Sequence, residues 1–201
     1  NGDLLYAYAG THWADLCSLN TGGKKITIAG KTDTSGIPLT IFEKDSSVFN
    51  VHCYEASVFY LHHGEDYQTV IQDLIITGGD PDDGGGFYLD NASPTIKNCT
   101  IKGNTAGKNG GGIYCIGGDP TITGCTIKDN SANDSGGGIY CNNSNSNISG
   151  CTIEDNSAGA GRGIACYESS PTITNCTISE NEADLGGGIS CDNSGPTSNP
   201  T

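Results

Sequence analysis

The chain has no methionine, one tryptophan and one arginine among its 201 residues. Aromatic residues amount to only 7%, so a core must be filled by isoleucine, leucine and cysteine rather than by rings. Basic side chains are also scarce: nine Lys and Arg face 23 Asp and Glu, a formal net charge of −14. Such a charge excludes nucleic acid as a partner and opposes anionic membrane surfaces. No apolar run approaches the roughly 20 residues of a membrane-crossing helix, so no membrane insertion is expected. No CxxC pair occurs, which argues against zinc. No stretch carries the 3.6-residue period of an amphipathic helix, which sets aside bundles and α/β folds. The sequence starts at Asn1 without a methionine or a charged-then-apolar leader, and is expected to be processed, excised or incomplete.

What the chain has in abundance is glycine, 31 residues in phase with isoleucine and cysteine. Residues 110–135 read GGGIYCIGGDPTITGCTIKDNSANDS, and residues 136–160 read GGGIYCNNSNSNISGCTIEDNSAGA. Related copies start at Gly84 and Gly161, and successive starts at 84, 110, 136, 161 and 186 differ by 26, 26, 25 and 25. A repeat of that period marks a solenoid, in which each unit buries its apolar side against the next. Short alternating runs broken by Gly, Asn, Pro and Ser make each unit a β-coil.

Within one coil, Ile113 and Cys115 share parity and face inward, while Tyr114 faces out. Ile122 and Ile127 are five apart, so the alternation must break between them. The residue at the break is Asp73, Asn98, Gly124, Gly150 or Asn175 in successive copies. Those types accept left-handed backbone angles, which predicts a bend there. In-register stacking then gives inward columns: Phe87/Ile113/Ile139/Ile164/Ile189, Ile96/Ile122/Ile148/Ile173 and Ile101/Ile127/Ile153/Ile178. Two more hold cysteine, Cys115/Cys141/Cys166/Cys191 and Cys99/Cys125/Cys151/Cys176. Asn104, Asn130, Asn156 and Asn181 form a column at the next corner, expected to be an asparagine ladder whose amides bond along the axis.

Weaker copies extend upstream through Ile71–Gly79 and Val58–Leu61. Runs at Leu4–Gly10, Lys25–Gly30 and Leu39–Phe42 alternate in the same way. The expected fold is an all-β parallel helix of roughly seven coils, on the order of 35 Å long. It occupies residues 1–191 as one domain, degenerate over 1–57 and regular over 58–191, with a Ser/Asn/Pro-rich tail at 192–201.

Of the ten cysteines, those in the two columns are expected to be packed thiols. Leu89 and Leu74 replace them in earlier coils, and in-register Cβ atoms about 4.8 Å apart suit a disulfide poorly. Disulfides are more credible at Cys17 and Cys53. The acidic turn with Asp80, Asp82 and Asp83 offers calcium candidates but lacks the spacing of a calcium loop. A solvated acidic turn is preferred, and no cofactor is expected. His52, His62 and His63 read as surface histidines. Sequons occur at Asn91, Asn98, Asn133, Asn142, Asn147 and Asn175, of which Asn133, Asn142 and Asn147 are the glycosylation candidates.

The phrase Gly-Gly-Gly-Ile-Tyr-Cys-x4-Pro-Thr-Ile-Thr-x-Cys-Thr-Ile-x2-Asn-x-Ala resembles the right-handed parallel β-helix repeat family of secreted and surface-exposed proteins. That family lies in the pectate-lyase-like superfamily and is related in pattern to polymorphic outer-membrane autotransporter repeats. The resemblance is specific over residues 58–191 and looser over 1–57. It implies a triangular right-handed helix of three parallel sheets, exported to the cell exterior or cell surface. It implies no single activity, since members include polysaccharide lyases, glycosidases and adhesins.

An enzyme of this resemblance would need a basic residue with acidic neighbours, or clustered carboxylates. The one arginine, Arg162, stands where other coils carry the middle Gly of GGG, and is the candidate catalytic residue under that reading. The outward columns beside it, Tyr88/Tyr114/Tyr140/Ala165 and Thr100/Thr126/Thr152/Thr177, bring no converging carboxylates. A further outward pair of columns, Thr95/Thr121/Asn147/Thr172 and Lys97/Thr123/Ser149/Thr174, resembles the Thr-x-Thr arrays of ice-binding β-helices, but Asn147 and Lys97 interrupt it. The preferred reading is an extracellular structural or adhesive β-helix. It is expected to form a homo-polymer through open ends at Leu4, Leu5 and Ile189, with polysaccharide as the alternative partner.

Overall fold

In the computed structural model the described residues are 3–6, 10–14, 26–44, 57–62, 64–181 and 187–192. They contain strands and turns and no helix. The strands gather into three large parallel sheets of seven, seven and six strands. The first runs from Asp3–Tyr6 through Thr121–Thr123 to Thr172–Thr174, and the second from Gly10–Ala14 through Thr126–Lys128 to Thr177–Ser179. The third begins at Phe59–Leu61 and ends at Ile189–Asp192. Its six strands bound five full turns, slightly fewer than the roughly seven coils expected. The two layers before it contribute two strands each among the described residues.

Register follows the repeat residue for residue. Ile113 pairs with Ile139, Ile122 with Ile148, and Ile127 with Ile153. Those side chains are completely buried and share one core with Phe59, Phe87 and Leu89. Each isoleucine therefore packs on its copy above and below, which keeps every layer the same thickness. The strand Gly10–Ala14, pairing with Thr40–Lys44, adds to the second sheet a strand that alternation alone had not marked.

Corners turn on left-handed residues. At the bend between the first two sheets φ is +59° at Asp73, +52° at Asn98, +61° at Gly124 and +53° at Asn175. Three further columns do the same: one just before the asparagine column, at Gly103, Asp129, Asp155 and Glu180, one at Asn91, Gly117, Asn143 and Glu168, and one at the first glycine of each GGG or GRG turn, Gly84, Gly110, Gly136 and Gly161. A single left-handed residue redirects the strand without breaking the parallel ladder, and Asn, Asp and Gly adopt that angle at least cost. The GGG turns sit tighter. A Cβ on Gly111 would lie 2.6 Å from the carbonyl oxygen of Gly137 in the next coil.

All eight column cysteines are free thiols. In one column the sulfurs reach carbonyl oxygens of the preceding coil, Cys125 Sγ to Ile96 O at 3.6 Å and Cys151 Sγ to Ile122 O at 3.6 Å. The Cys141 thiol is held well above its ordinary range first by its contact with the Cys115 thiol and then by burial. Cys151 is raised by contact with Cys125 and by burial, and Cys166 by burial first. They act as small apolar side chains with a weak donor. Cys17 and Cys53 lie outside the described residues.

Candidate functional site

The most ordered polar feature lies inside the helix, at the corner after the second sheet. Asn104, Asn130 and Asn156 are almost fully buried. The backbone N–H of Asn104 donates to Asn130 Oδ1 at 3.1 Å, and its Nδ2 donates to the same oxygen at 3.0 Å. Asn130 repeats both bonds to Asn156, and Asn156 repeats them to Asn181. The second Nδ2 proton of each goes back one coil, from Asn130 to Ile101 O at 3.0 Å and from Asn156 to Ile127 O at 2.9 Å. Each amide thus satisfies turn groups in two neighbouring coils, which a buried corner requires. Beyond it, Ala106, Ala132 and Ala158 form a small separate apolar cluster that the sequence reading had not separated from the turn.

On the outside, Arg162 lines an open cleft of about 380 Å³ together with Asp155, Asn156, Ser157 and Glu180. Its Nε donates to Ala158 O at 2.8 Å, which anchors the side chain over the corner. The corner residues Asp155 and Glu180 bring carboxylates to the same cleft, which the outward-column count had missed. Their left-handed backbone, φ +54° and +57°, places them outside the strand parity on which that count relied.

The acidic turn is spread out rather than convergent. Asp82 forms an exposed ion pair with Lys108 at 2.9 Å. Asp83 Oδ1 accepts from both the N–H and Nδ2 of Asn109. Asp80 is exposed. Among the described residues no group of three or more His, Cys, Asp or Glu gathers where a metal could sit. His62 stacks on Tyr60, while His52 and His63 lie outside the described residues. Of the sequon asparagines, Asn133 and Asn147 are exposed and Asn142 is half-buried, its Oδ1 accepting from Asn143. Asn133 donates to Gly107 O at 3.0 Å.

The outward tyrosine column is a stack. Rings of Tyr88 and Tyr114 lie 5.0 Å apart, and those of Tyr114 and Tyr140 lie 5.3 Å apart and nearly parallel. Tyr60 meets Tyr88 edge-on, and the column stops at Ala165. Burial, then the neighbouring Tyr114, pushes the Tyr140 hydroxyl up to about 12. The threonine columns run in register as well, with Thr100, Thr126, Thr152 and Thr177 aligned on the second sheet.

At the C-terminal side of the described helix the core columns come into the open. Ile189 is 42% exposed, whereas Phe87, Ile113, Ile139 and Ile164 above it are fully buried. Cys191 is exposed and Cys176 only half-buried. At the other side Leu4 and Leu5 lie in the edge strand Asp3–Tyr6, paired with Thr27 and Ile28; their side chains lie outside the described residues.

No curated protein and no solved structure matches the chain. A family model described as a right-handed β-helix region matches residues 45–201. With three parallel sheets stacked in register over the same span, the chain belongs to the right-handed β-helix family.

Proposed function

We propose that this protein is an extracellular or cell-surface structural β-helix that adds copies of itself end to end. The observation that carries the reading is the unbroken in-register stacking of like residues from coil to coil, Ile113 on Ile139 on Ile164 and Ile122 on Ile148 on Ile173, a ladder that can be extended by a further coil of the same kind. An edge strand beside an open apolar column is a template for strand addition. A contact between unlike ends is heterologous, so it propagates into a filament. Export rests on the likeness of the repeat to secreted and surface proteins. The test is negative-stain imaging with sedimentation of the native protein over a concentration series. Filaments or end-to-end oligomers that Ile189→Lys abolishes support the reading. A compact monomer at every concentration refutes it.

A second reading, action on or binding of a polysaccharide, is favoured by the Arg162 cleft. Arg162 lines the same cleft as the acidic residues Asp155 and Glu180, a combination of residue types suited to an acidic or hydroxyl-rich sugar. Turnover or binding of acidic polysaccharides, measured with calcium present, should then depend on Arg162. A panel without any response removes this reading and leaves the assembly test untouched.

A further inference from the structure

The tyrosine column sets one reactive ring over another in the middle of the helix, away from both ends. Tyr88, Tyr114 and Tyr140 are register partners on three successive strands of the third sheet. Parallel in-register pairing places each side chain over its own copy one coil away, so like ring atoms face like. The Tyr114 and Tyr140 planes lie only 6° apart with centroids at 5.3 Å, and those of Tyr88 and Tyr114 lie 30° apart at 5.0 Å. Tyr60, at 86°, turns its edge to the stack instead. Exposure is graded along the column. Tyr88 and Tyr140 are half-buried, whereas Tyr114 between them is only 7% exposed. An oxidant in solution therefore reaches the outer rings, and the stacked phenol beside either of them is Tyr114. By contrast Tyr67, in the turn before Val70–Gln72, is 70% exposed and lies outside the column.

We propose that Tyr88, Tyr114 and Tyr140 form an oxidative cross-linking site, at which a one-electron oxidant joins neighbouring coils of the same chain through a dityrosine bond. The co-reactant is an enzyme of the peroxidase class, with hydrogen peroxide as terminal oxidant. Each of two phenols gives up one electron and one proton and becomes a phenoxyl radical, whose unpaired spin lies partly on the ring carbons beside the C–O carbon. Two such carbons, one from each ring, form a carbon–carbon bond. The hydrogen on each then moves to its own oxygen and restores the phenols. The pair has lost two electrons and two protons, which reduce one hydrogen peroxide to two waters. The contribution of the fold is proximity: with the partner phenol held in the adjacent coil, coupling is effectively unimolecular and outpaces collision with a second chain. The bond closes one coil into a covalent loop, which restricts the unfolded chain as a disulfide does. The column cysteines are free thiols, so the dityrosine supplies a tie between coils that they do not. The inference is independent of end-to-end addition, because both rings belong to one chain.

The test is oxidation of the 201-residue chain by peroxidase and hydrogen peroxide, read by dityrosine fluorescence, denaturing gels and peptide mass mapping. The expected product is a monomer lighter by two hydrogen atoms, with the bond mapped to Tyr114–Tyr140 or Tyr88–Tyr114. Its yield per chain should hold constant over about a hundredfold dilution, as a unimolecular coupling requires. Tyr114→Phe keeps the ring and removes the middle phenol, and should lower the yield by about tenfold; unfolding in urea before oxidation should do the same. The cross-linked monomer should have a higher urea midpoint than the untreated chain. Tyr67→Phe should remove dimers coupled through the exposed ring and leave the intrachain product unchanged. Dityrosine found only between chains, a yield that Tyr114→Phe does not lower, or oxidation that consumes the thiols and leaves the tyrosines intact would each overturn the proposal.

Discussion

Replacing Asn130 by alanine probes the ladder where both neighbours are present. The side chain makes four bonds: Oδ1 accepts from the N–H and Nδ2 of Asn104, and Nδ2 donates to Ile101 O and Asn156 Oδ1. Net, a hydrogen bond contributes about 0.5–1.5 kcal/mol, and a buried donor left without a partner costs about 1–3 kcal/mol. Alanine removes all four bonds and orphans the buried Asn104 N–H, so the loss should be about 4 kcal/mol. With a urea slope of about 2 kcal/mol per molar, the midpoint should fall by about 2 M at unchanged slope. Because coils of a solenoid can open separately, the local readout matters as much. Exchange of the Asn104 amide should accelerate more than that of amides three coils away. A midpoint shift under about 0.5 M would mean that water or a neighbouring group replaces the ladder bonds, and the claim that buried amides fix the corner would fail.

Gly124→Val should cost more than about 1 kcal/mol, since a β-branched residue resists the +61° angle, whereas Gly124→Asn should be nearly neutral because Asn98 and Asn175 hold the same place; equal melting temperatures for both variants would remove the case for a left-handed corner. Thiol counting in denaturant without reductant should find at least eight free cysteines, matching the eight column thiols; a count near zero would contradict the packing of the columns. In the native state Cys191, which is exposed, should be alkylated before Cys115 and Cys141, which are buried; uniform labelling would show that the columns open readily. Stability should also fall in alkali. The folded thiols of Cys141, Cys151 and Cys166 are raised, so their contribution is complete below the unfolded value of about 8.5. It declines as pH rises above that value, because only the unfolded chain can then release the protons, and each thiol adds a slope of about 1.4 kcal/mol per pH unit. A melting temperature that is flat between about pH 8 and 10 would refute this linkage.

The architecture was legible because one period carries three independent signals. Parity places isoleucine and cysteine inward, the break between Ile122 and Ile127 locates a bend, and recurrent asparagine marks a corner. Each signal is repeated in several coils, so chance agreement at one position matters little. The left-handed columns at Asn91/Gly117/Asn143/Glu168 and Gly103/Asp129/Asp155/Glu180 are harder to read, because no break in parity between inward isoleucines points to them and a glutamate ends each run of Gly, Asn and Asp. The strand Gly10–Ala14 was hidden for a different reason. Its Gly and His interrupt the apolar alternation, and only pairing with Thr40–Lys44 reveals it. The Arg162 cleft depends on the corner geometry itself, since Asp155 and Glu180 reach it from residues outside any strand column. Repeat logic reads what recurs. A site made by a substitution at one corner leaves no recurrence to read.

Charge and hydrogen bonding together decide where two copies can meet. A net charge of −14 on 201 residues opposes lateral contact, because like-charged side faces repel within a Debye length of about 8 Å at physiological salt. Along those side faces every interior strand already spends its main-chain groups on the strands above and below, so no edge is available for sideways pairing. The column residues of the last described coil differ from the side faces: Ile173, Cys176 and Ile178, half-buried against the core, and the exposed Ile189 and Cys191 carry no formal charge. Repulsion is therefore spread over the sides, whereas apolar burial is concentrated at the end. Raising salt should then strengthen end-to-end assembly by screening the remaining repulsion, with filament width unchanged. Filaments that thicken into bundles with salt would show that the side faces attract, and the confinement of association to the helix ends would have to be abandoned.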